Sequence, residues 1–95
     1  MSERTAVIGS RRGLHGRPAA LLAARVSALR TASVVLARSG DPRGPWVDAS
    51  SALDLLALEI GYGEAVVLRS AGRGEEEDAL LRELAELLES DLDEP

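Results

Sequence analysis

Four short β-branched or aliphatic runs, separated by turns and by three helical patterns, limit most strongly what this chain can fold into. The first run, Arg4 to Ile8, ends at Gly9 and Ser10. The second, Ser33 to Ala37, places Val34 and Leu36 on one face. Residues Ser39 to Pro45 are turn formers throughout, so Trp46, Val47 and Asp48 read as the return strand of a hairpin. Ala65 to Leu68 is the last strand. Between these lie helical patterns. From Pro18 to about Leu29, the residues Leu22, Val26 and Leu29 recur at i, i+4 and i+7, with Ala20, Leu21 and Ala24 on the other side. A short helix from Ala52 to about Leu58 follows the N-cap hydroxyls of Ser50 and Ser51. The third helix begins near Glu75. It carries an apolar stripe of Leu80, Leu81, Leu84, Leu87 and Leu88, and Glu75, Glu76, Glu77 and Asp78 crowd its first turn, where the helix dipole favours negative charge. The order is therefore βαββαβα. Four strands with helices on one face make an α+β two-layer open-faced sandwich.

At 95 residues the chain reads as a single domain, spanning 1–95, with one core and an acidic tail that frays from about residue 90. Phe is absent, and Trp46 and Tyr62 are the only aromatics, so the core must be Leu, Val, Ile and Ala. Those two aromatics read as covers for the sheet edge and a loop. There is no cysteine and one histidine, which removes disulfides and thiolate metal sites, and no second His, Cys or paired Ser/Asp set is there to form a hydrolytic triad; no metal and no cofactor is expected. No apolar run approaches the ~20 residues of a membrane span, and no signal-peptide pattern opens the chain, so the expected compartment is cytoplasmic. Residues 1–40 hold seven arginines against one acid, whereas 41–95 hold four against fifteen. No aromatic interleaves the N-terminal arginines and the net charge is −5, which argues against nucleic acid.

The only histidine, His15, stands between a glycine-bearing turn and an Ala/Leu helix that Pro18 suits as first residue. The first-turn amides of a helix have no internal partner, and the dipole there attracts anions. Arg17 adds a fixed positive charge, and Arg11 and Arg12 lie just upstream. A neutral imidazole is a nucleophile. Beside free N–H groups and a guanidinium, it can take a phosphoryl group on nitrogen and hold it. Candidate phosphate-binding groups are Gly16, Arg17 and Arg12. The bland alternative for Leu53 and Leu56, and for Ala20 and Leu21, is core packing; the functional one is an apolar patch that docks a transient partner, with Leu53 outward. Ser51 is explained as a plain N-cap, and a phosphoryl group there would be tolerated by the helix dipole.

Gly13-Leu14-His15-Gly16-Arg17-Pro18-Ala19-Ala20 resembles the phosphorylation-site signature of the HPr family, the histidine phosphocarriers of the sugar phosphotransferase system. Val47 to Leu53 is similar to that family's second signature, with Ser51 in the place of its regulatory serine. The resemblance runs from about Arg4 to Leu88. It implies a four-stranded antiparallel sheet covered by three helices, and a non-enzymatic phosphoprotein, expected to be a monomer, serving sugar transport. It further implies an Nδ1 phosphoramidate on His15, formed from enzyme I charged by phosphoenolpyruvate and passed to enzyme IIA domains, with a serine kinase and transcriptional regulators as further partners. Four features depart from the pattern: a longer hairpin at 39–45, Gly16 where Ala or Thr is commoner, Glu59 where glycine is common, and Ala24, Ser27 and Asp54 where lysines often thicken a positive patch.

Other readings stand beside this one. The same carrier fold could serve a relay for nitrogen regulation or dihydroxyacetone phosphorylation, or a regulatory binding module acting through Ser51; His15 argues against the module. A hydrolase of acyl phosphates has a comparable size and sandwich, but its chemistry uses an asparagine, and this chain has none.

Overall fold

The computed structural model describes residues 2–29, 33–41, 43–72 and 74–91. The elements are β1 (Ser2–Val7), α1 (Arg17–Ser27), β2 (Val34–Arg38), β3 (Val47–Asp48), α2 (Ala52–Ala57), β4 (Ala65–Ser70) and α3 (Glu75–Glu89). All strand pairs are antiparallel, in the order β1-β4-β2-β3. The last strand in sequence thus lies inside the sheet, and its neighbours are β1 and β2. Side-chain alternation separates the two faces: Ala6, Val34, Leu36, Val66 and Leu68 are buried, while Glu3, Thr5 and Val7 point to solvent. The helices pack on the buried face, giving the α+β open-faced sandwich.

The core is aliphatic throughout. Leu22 and Val26 of α1, Leu55 of α2, and Leu81, Leu84, Ala85 and Leu88 of α3 meet the sheet residues and the loop residues Ile8, Leu14 and Ile60. Leu29, Leu80 and Leu87 are half-buried against it. Helix α3 lies along β1 and β4. Its far end is tied to the end of β1, where the Gly9 amide donates to the Leu88 carbonyl at 2.9 Å.

Strand ends differ from the sequence expectation. β1 starts at Ser2 rather than Arg4, and β4 runs on to Ser70 rather than stopping at Leu68. Polar residues break the hydrophobic pattern at both places, yet the ladder continues. Ser70 pairs with Ser2 and with Val34, and Arg69 with Glu3 and with Val35. β2 ends one residue later than expected, and β3 omits Trp46. That indole lies instead under the Arg69 guanidinium, 4.1 Å from the ring centroid, on the open face. Tyr62, read as a loop cover, is 65% exposed in the turn before β4 and covers little. Ser90 and Asp91 at the start of the acidic tail are anchored: Ser10 donates to the Ser90 carbonyl, and Arg11 pairs with Asp91 at 3.3 Å. The rest of the tail expected to fray, Leu92 to Pro95, lies outside the described residues, as do Pro42 of the hairpin and Arg73 before α3.

Two carboxylates, Asp48 at the end of β3 and Glu64 in the turn before β4, are held below their ordinary range. Asp48 accepts from the Ser50 hydroxyl at 2.7 Å and the Ser50 amide at 2.9 Å, the hydroxyl being the larger influence. Glu64 is lowered first by the Gly61 amide and then by Arg38. A group that binds its proton less readily when folded stabilises the fold fully above its unfolded pKa, and that contribution declines as pH falls through the folded one. The ordinary values are 3.8 for Asp48 and 4.5 for Glu64. The urea midpoint is therefore expected to hold above ~pH 5 and to fall toward ~pH 3, with Glu64→Gln flattening the fall. A midpoint equally steep in the variant would remove Glu64 from the account.

Candidate functional site

His15 is delivered by a turn fastened at two levels. Gly13 donates to the Ser10 carbonyl at 2.9 Å, and Leu14 donates to the Ile60 carbonyl at 2.9 Å. Gly13 has φ +82°, a left-handed conformation. A Cβ at Gly13 would sit 2.5 Å from the Ile60 oxygen, so the chain passes here as bare backbone. The Leu14 side chain is fully buried, which plugs the loop into the core one residue before the imidazole. His15 is half-exposed.

Gly16 follows as N-cap with φ +53°, and nothing lies within 4 Å of where its Cβ would be. Arg17 is the first helical residue and Pro18 the second, one place later than the sequence suggested. Either place suits proline, because no first-turn amide has an intrahelical acceptor. The first bond of α1 runs from the Ala20 amide to the Gly16 carbonyl, and no side chain caps the helix. Among the described residues, the amides of Gly16, Arg17 and Ala19 have no backbone acceptor. The first turn contains no acid. Arg17 is exposed and, among the described residues, has no ion-pair partner. An imidazole, three amides and a guanidinium thus lie within five consecutive residues. Arg12 sits exposed on the turn beside Arg11, and the buried Leu14 stands between that turn and His15.

The other candidate residues lie on α1 and α2, which are neighbours and are joined by Ser27 donating to the Ser50 carbonyl at 3.3 Å. Ala20 is exposed and Leu21 half-buried on α1. On α2, Leu53 stands 79% exposed, whereas Leu56 is half-buried and packs on the core, so Leu53 supplies most of the apolar area. Ser51 is the N-cap of α2, and its hydroxyl accepts from the Asp54 amide at 3.2 Å. Ser51→Ala should remove that cap and lower stability by about 1 kcal/mol, read as a lower urea midpoint. A change below ~0.3 kcal/mol would mean that the cap contributes little.

The segment from Glu59 to Glu64 carries the Ile60 carbonyl that anchors Leu14, and Glu59 was its one departure legible in the sequence. Glu59, at the position where glycine is common in relatives of this pattern, has φ +53°. Arg38 of β2 reaches it, donating to the Glu59 carbonyl at 3.1 Å and to Glu64 at 3.2 Å. Among the described residues no cluster of three His, Cys, Asp or Glu side chains is placed to hold a metal, and no helix is long and apolar enough to cross a membrane.

A small open sandwich with a half-exposed histidine before an uncapped helix is the architecture of a phosphoryl carrier. Residues 2–90 match the family model described as the PTS HPr component phosphorylation site. The phosphocarrier protein HPr of Streptomyces coelicolor is 35% identical over 94 residues, covering 99% of this chain and 95% of the relative. Among solved structures, HPr-C-His from Thermoanaerobacter tengcongensis superposes with a TM-score of 0.73 at 30% identity, covering 97% of this chain and 100% of the other. An HPr from Bacillus anthracis gives 0.75 at 23% identity, over 92% and 95% of the two chains, and supports the fold. The chain belongs to the HPr family, the phosphocarrier proteins of the phosphotransferase system.

Proposed function

We infer that this chain relays a phosphoryl group on His15, from enzyme I charged by phosphoenolpyruvate to the enzyme IIA domains of the sugar phosphotransferase system. The observation that carries the reading is the half-exposed imidazole set immediately before three amides without backbone acceptors and an Arg17 that has no ion-pair partner among the described residues. In the step proposed, the imidazole nitrogen attacks the phosphorus of the donor's phosphohistidine. A new N–P bond forms as the donor's N–P bond breaks, and the donor imidazole leaves with its electron pair. The dianionic phosphoryl group then lies where the helix dipole, the amides of Gly16 and Arg17 and the Arg17 guanidinium are all favourable to it. Stabilisation is partial by design in such a carrier, because the group must leave again. The same displacement in reverse sense passes it to the acceptor. Ala20, Leu21 and Leu53 form the apolar ground on which either partner docks.

The test is incubation of the purified protein with phosphoenolpyruvate, magnesium and its own organism's enzyme I, followed by intact mass before and after mild acid. One acid-labile phosphoryl group, lost again on addition of enzyme IIA, is the expected result. An adduct that survives acid, or no adduct with an active enzyme I, would overturn the reading.

A further inference from the structure

We propose that Glu64 and Arg38 are positioning residues for His15, acting through the 59–64 segment and the Leu14–Ile60 hydrogen bond. The proposal rests on the carrier reading above for its catalytic meaning, and on geometry for its substance. Neither residue belongs to the phosphorylation signature.

The Glu64 carboxylate faces two ways. One oxygen accepts from the Arg38 Nε at 3.2 Å, and the other accepts from the Gly61 amide at 2.5 Å. Arg38 in turn donates through Nη2 to the Glu59 carbonyl at 3.1 Å. A single ion pair therefore clasps both ends of the segment 59–61. The backbone of the same segment is engaged on its other side. Glu64 accepts from the Ile8 amide, Gly63 donates to the Ile8 carbonyl, and Ile60 accepts from Leu14, each at 2.9 Å. Ile60 is fully buried and fixed in the core.

The consequence follows from sequence distance. His15 follows a glycine-rich loop whose own local hydrogen bond, Gly13 to Ser10, sets the turn but not its place on the domain. Gly9, Ser10 and Arg11 tie the start of the loop to the end of α3, and the last anchor before the imidazole is Leu14, whose amide is held by a carbonyl from the far side of α2. That carbonyl stays put only while the segment around it does. Glu59 makes the segment harder to hold, since a left-handed conformation is unfavourable for a residue with a Cβ. The Arg38 bond to the Glu59 carbonyl lies where that strain is. Charge-assisted bonds of this kind are stronger than neutral ones, and they end on rigid β2 and on the residue that leads into β4. Positional errors as small as 1 Å at a reacting group reduce rates by up to about a hundredfold.

The experiment compares the natural chain with Glu64→Ala, Glu64→Asp, Arg38→Ala and the Glu64→Ala/Arg38→Ala double variant. A Glu3→Ala control breaks the Arg69–Glu3 pair on the open face. Amide hydrogen exchange and the His15 ring resonances are read by NMR, and phosphoryl uptake from enzyme I is resolved into kcat and KM. Glu64→Ala and Arg38→Ala are expected to speed Leu14 exchange about tenfold relative to Leu36 in β2 and to shift the His15 ring signals. They should lower kcat severalfold with KM nearly unchanged, because the docking helices are untouched. The double variant should be no worse than either single one, and Glu64→Asp should recover part of the loss. Leu14 exchange that does not separate from Leu36 would overturn the proposal. So would unchanged kcat beside faster exchange, or an equal effect from Glu3→Ala. If the natural chain takes up no phosphoryl group, the carrier reading fails on its own, and the exchange and ring signals still decide whether Glu64 and Arg38 position His15.

Discussion

His15→Ala is expected to remove all acid-labile phosphorylation while leaving the fold intact. The side chain is half-exposed and, among the described residues, enters no hydrogen bond or ion pair, so truncation opens no cavity and strands no polar partner. Substitutions at such positions usually change stability by no more than ~0.5 kcal/mol. Loss of the adduct can then be assigned to loss of the nucleophile, because no cysteine or second histidine could substitute. Arg17→Ala differs in kind. It leaves the imidazole and the amides in place and removes one charge-assisted contact. Such contacts contribute about 1.5–3 kcal/mol when well formed, and toward the low end at exposed sites. The expected change is therefore about a tenfold slower uptake with the adduct still formed. A phosphorylated His15→Ala protein would sink the assignment of the acceptor, and an Arg17→Ala variant as inactive as His15→Ala would mean that the guanidinium does more than neutralise charge.

Much of this architecture is written locally. Leu22 and Val26 recur at helical spacing, Val34 and Leu36 alternate, and Ser51 precedes a helix whose third residue offers its amide; each pattern involves residues a few places apart, and each appears in the structure where the pattern put it. The histidine site is legible for the same reason, since imidazole, amides and guanidinium are consecutive. What was not legible depends on distant pairs. Arg69 and Ser70 look like the end of a strand until β1 and β2 are placed on either side of them. Arg38 and Glu64 are 26 residues apart, and no spacing rule links them. The Leu14–Ile60 bond joins two backbone groups, which leave no trace in residue identity at all. The one hint was Glu59. A residue with a Cβ in a position where glycine is common announces a left-handed turn that something must hold.

Gly13→Ala is expected to be among the most damaging single-methyl additions in the protein, and the comparison with Gly16→Ala shows why. Both glycines have positive φ, +82° and +53°, so both variants are strained: roughly 1–2 kcal/mol for an alanine held left-handed at Gly13, and about 2 kcal/mol at Gly16, whose ψ of −119° lies outside the left-handed well. Only Gly13 adds a collision. Its new methyl would lie 2.5 Å from the Ile60 oxygen and 3.0 Å from the Gly61 Cα, both backbone atoms that cannot rotate away. The Ile60 oxygen is the acceptor for Leu14, so relieving the contact means stretching the bond that places His15. Adding the loss of a buried hydrogen bond, about 1 kcal/mol or more, puts Gly13→Ala near 3 kcal/mol. For a domain of this size that is a fall in Tm of roughly 12–24 °C, against roughly 8–16 °C for Gly16→Ala, whose methyl would enter open space. Function should separate the two further. Gly13→Ala should slow phosphoryl uptake even at temperatures where it remains folded, because the loop can relax only by moving Leu14 and the imidazole with it. Equal thermal shifts for the two variants would mean that the Gly13–Ile60 approach is looser than the structure has it, and that the position of His15 is set somewhere other than at Leu14.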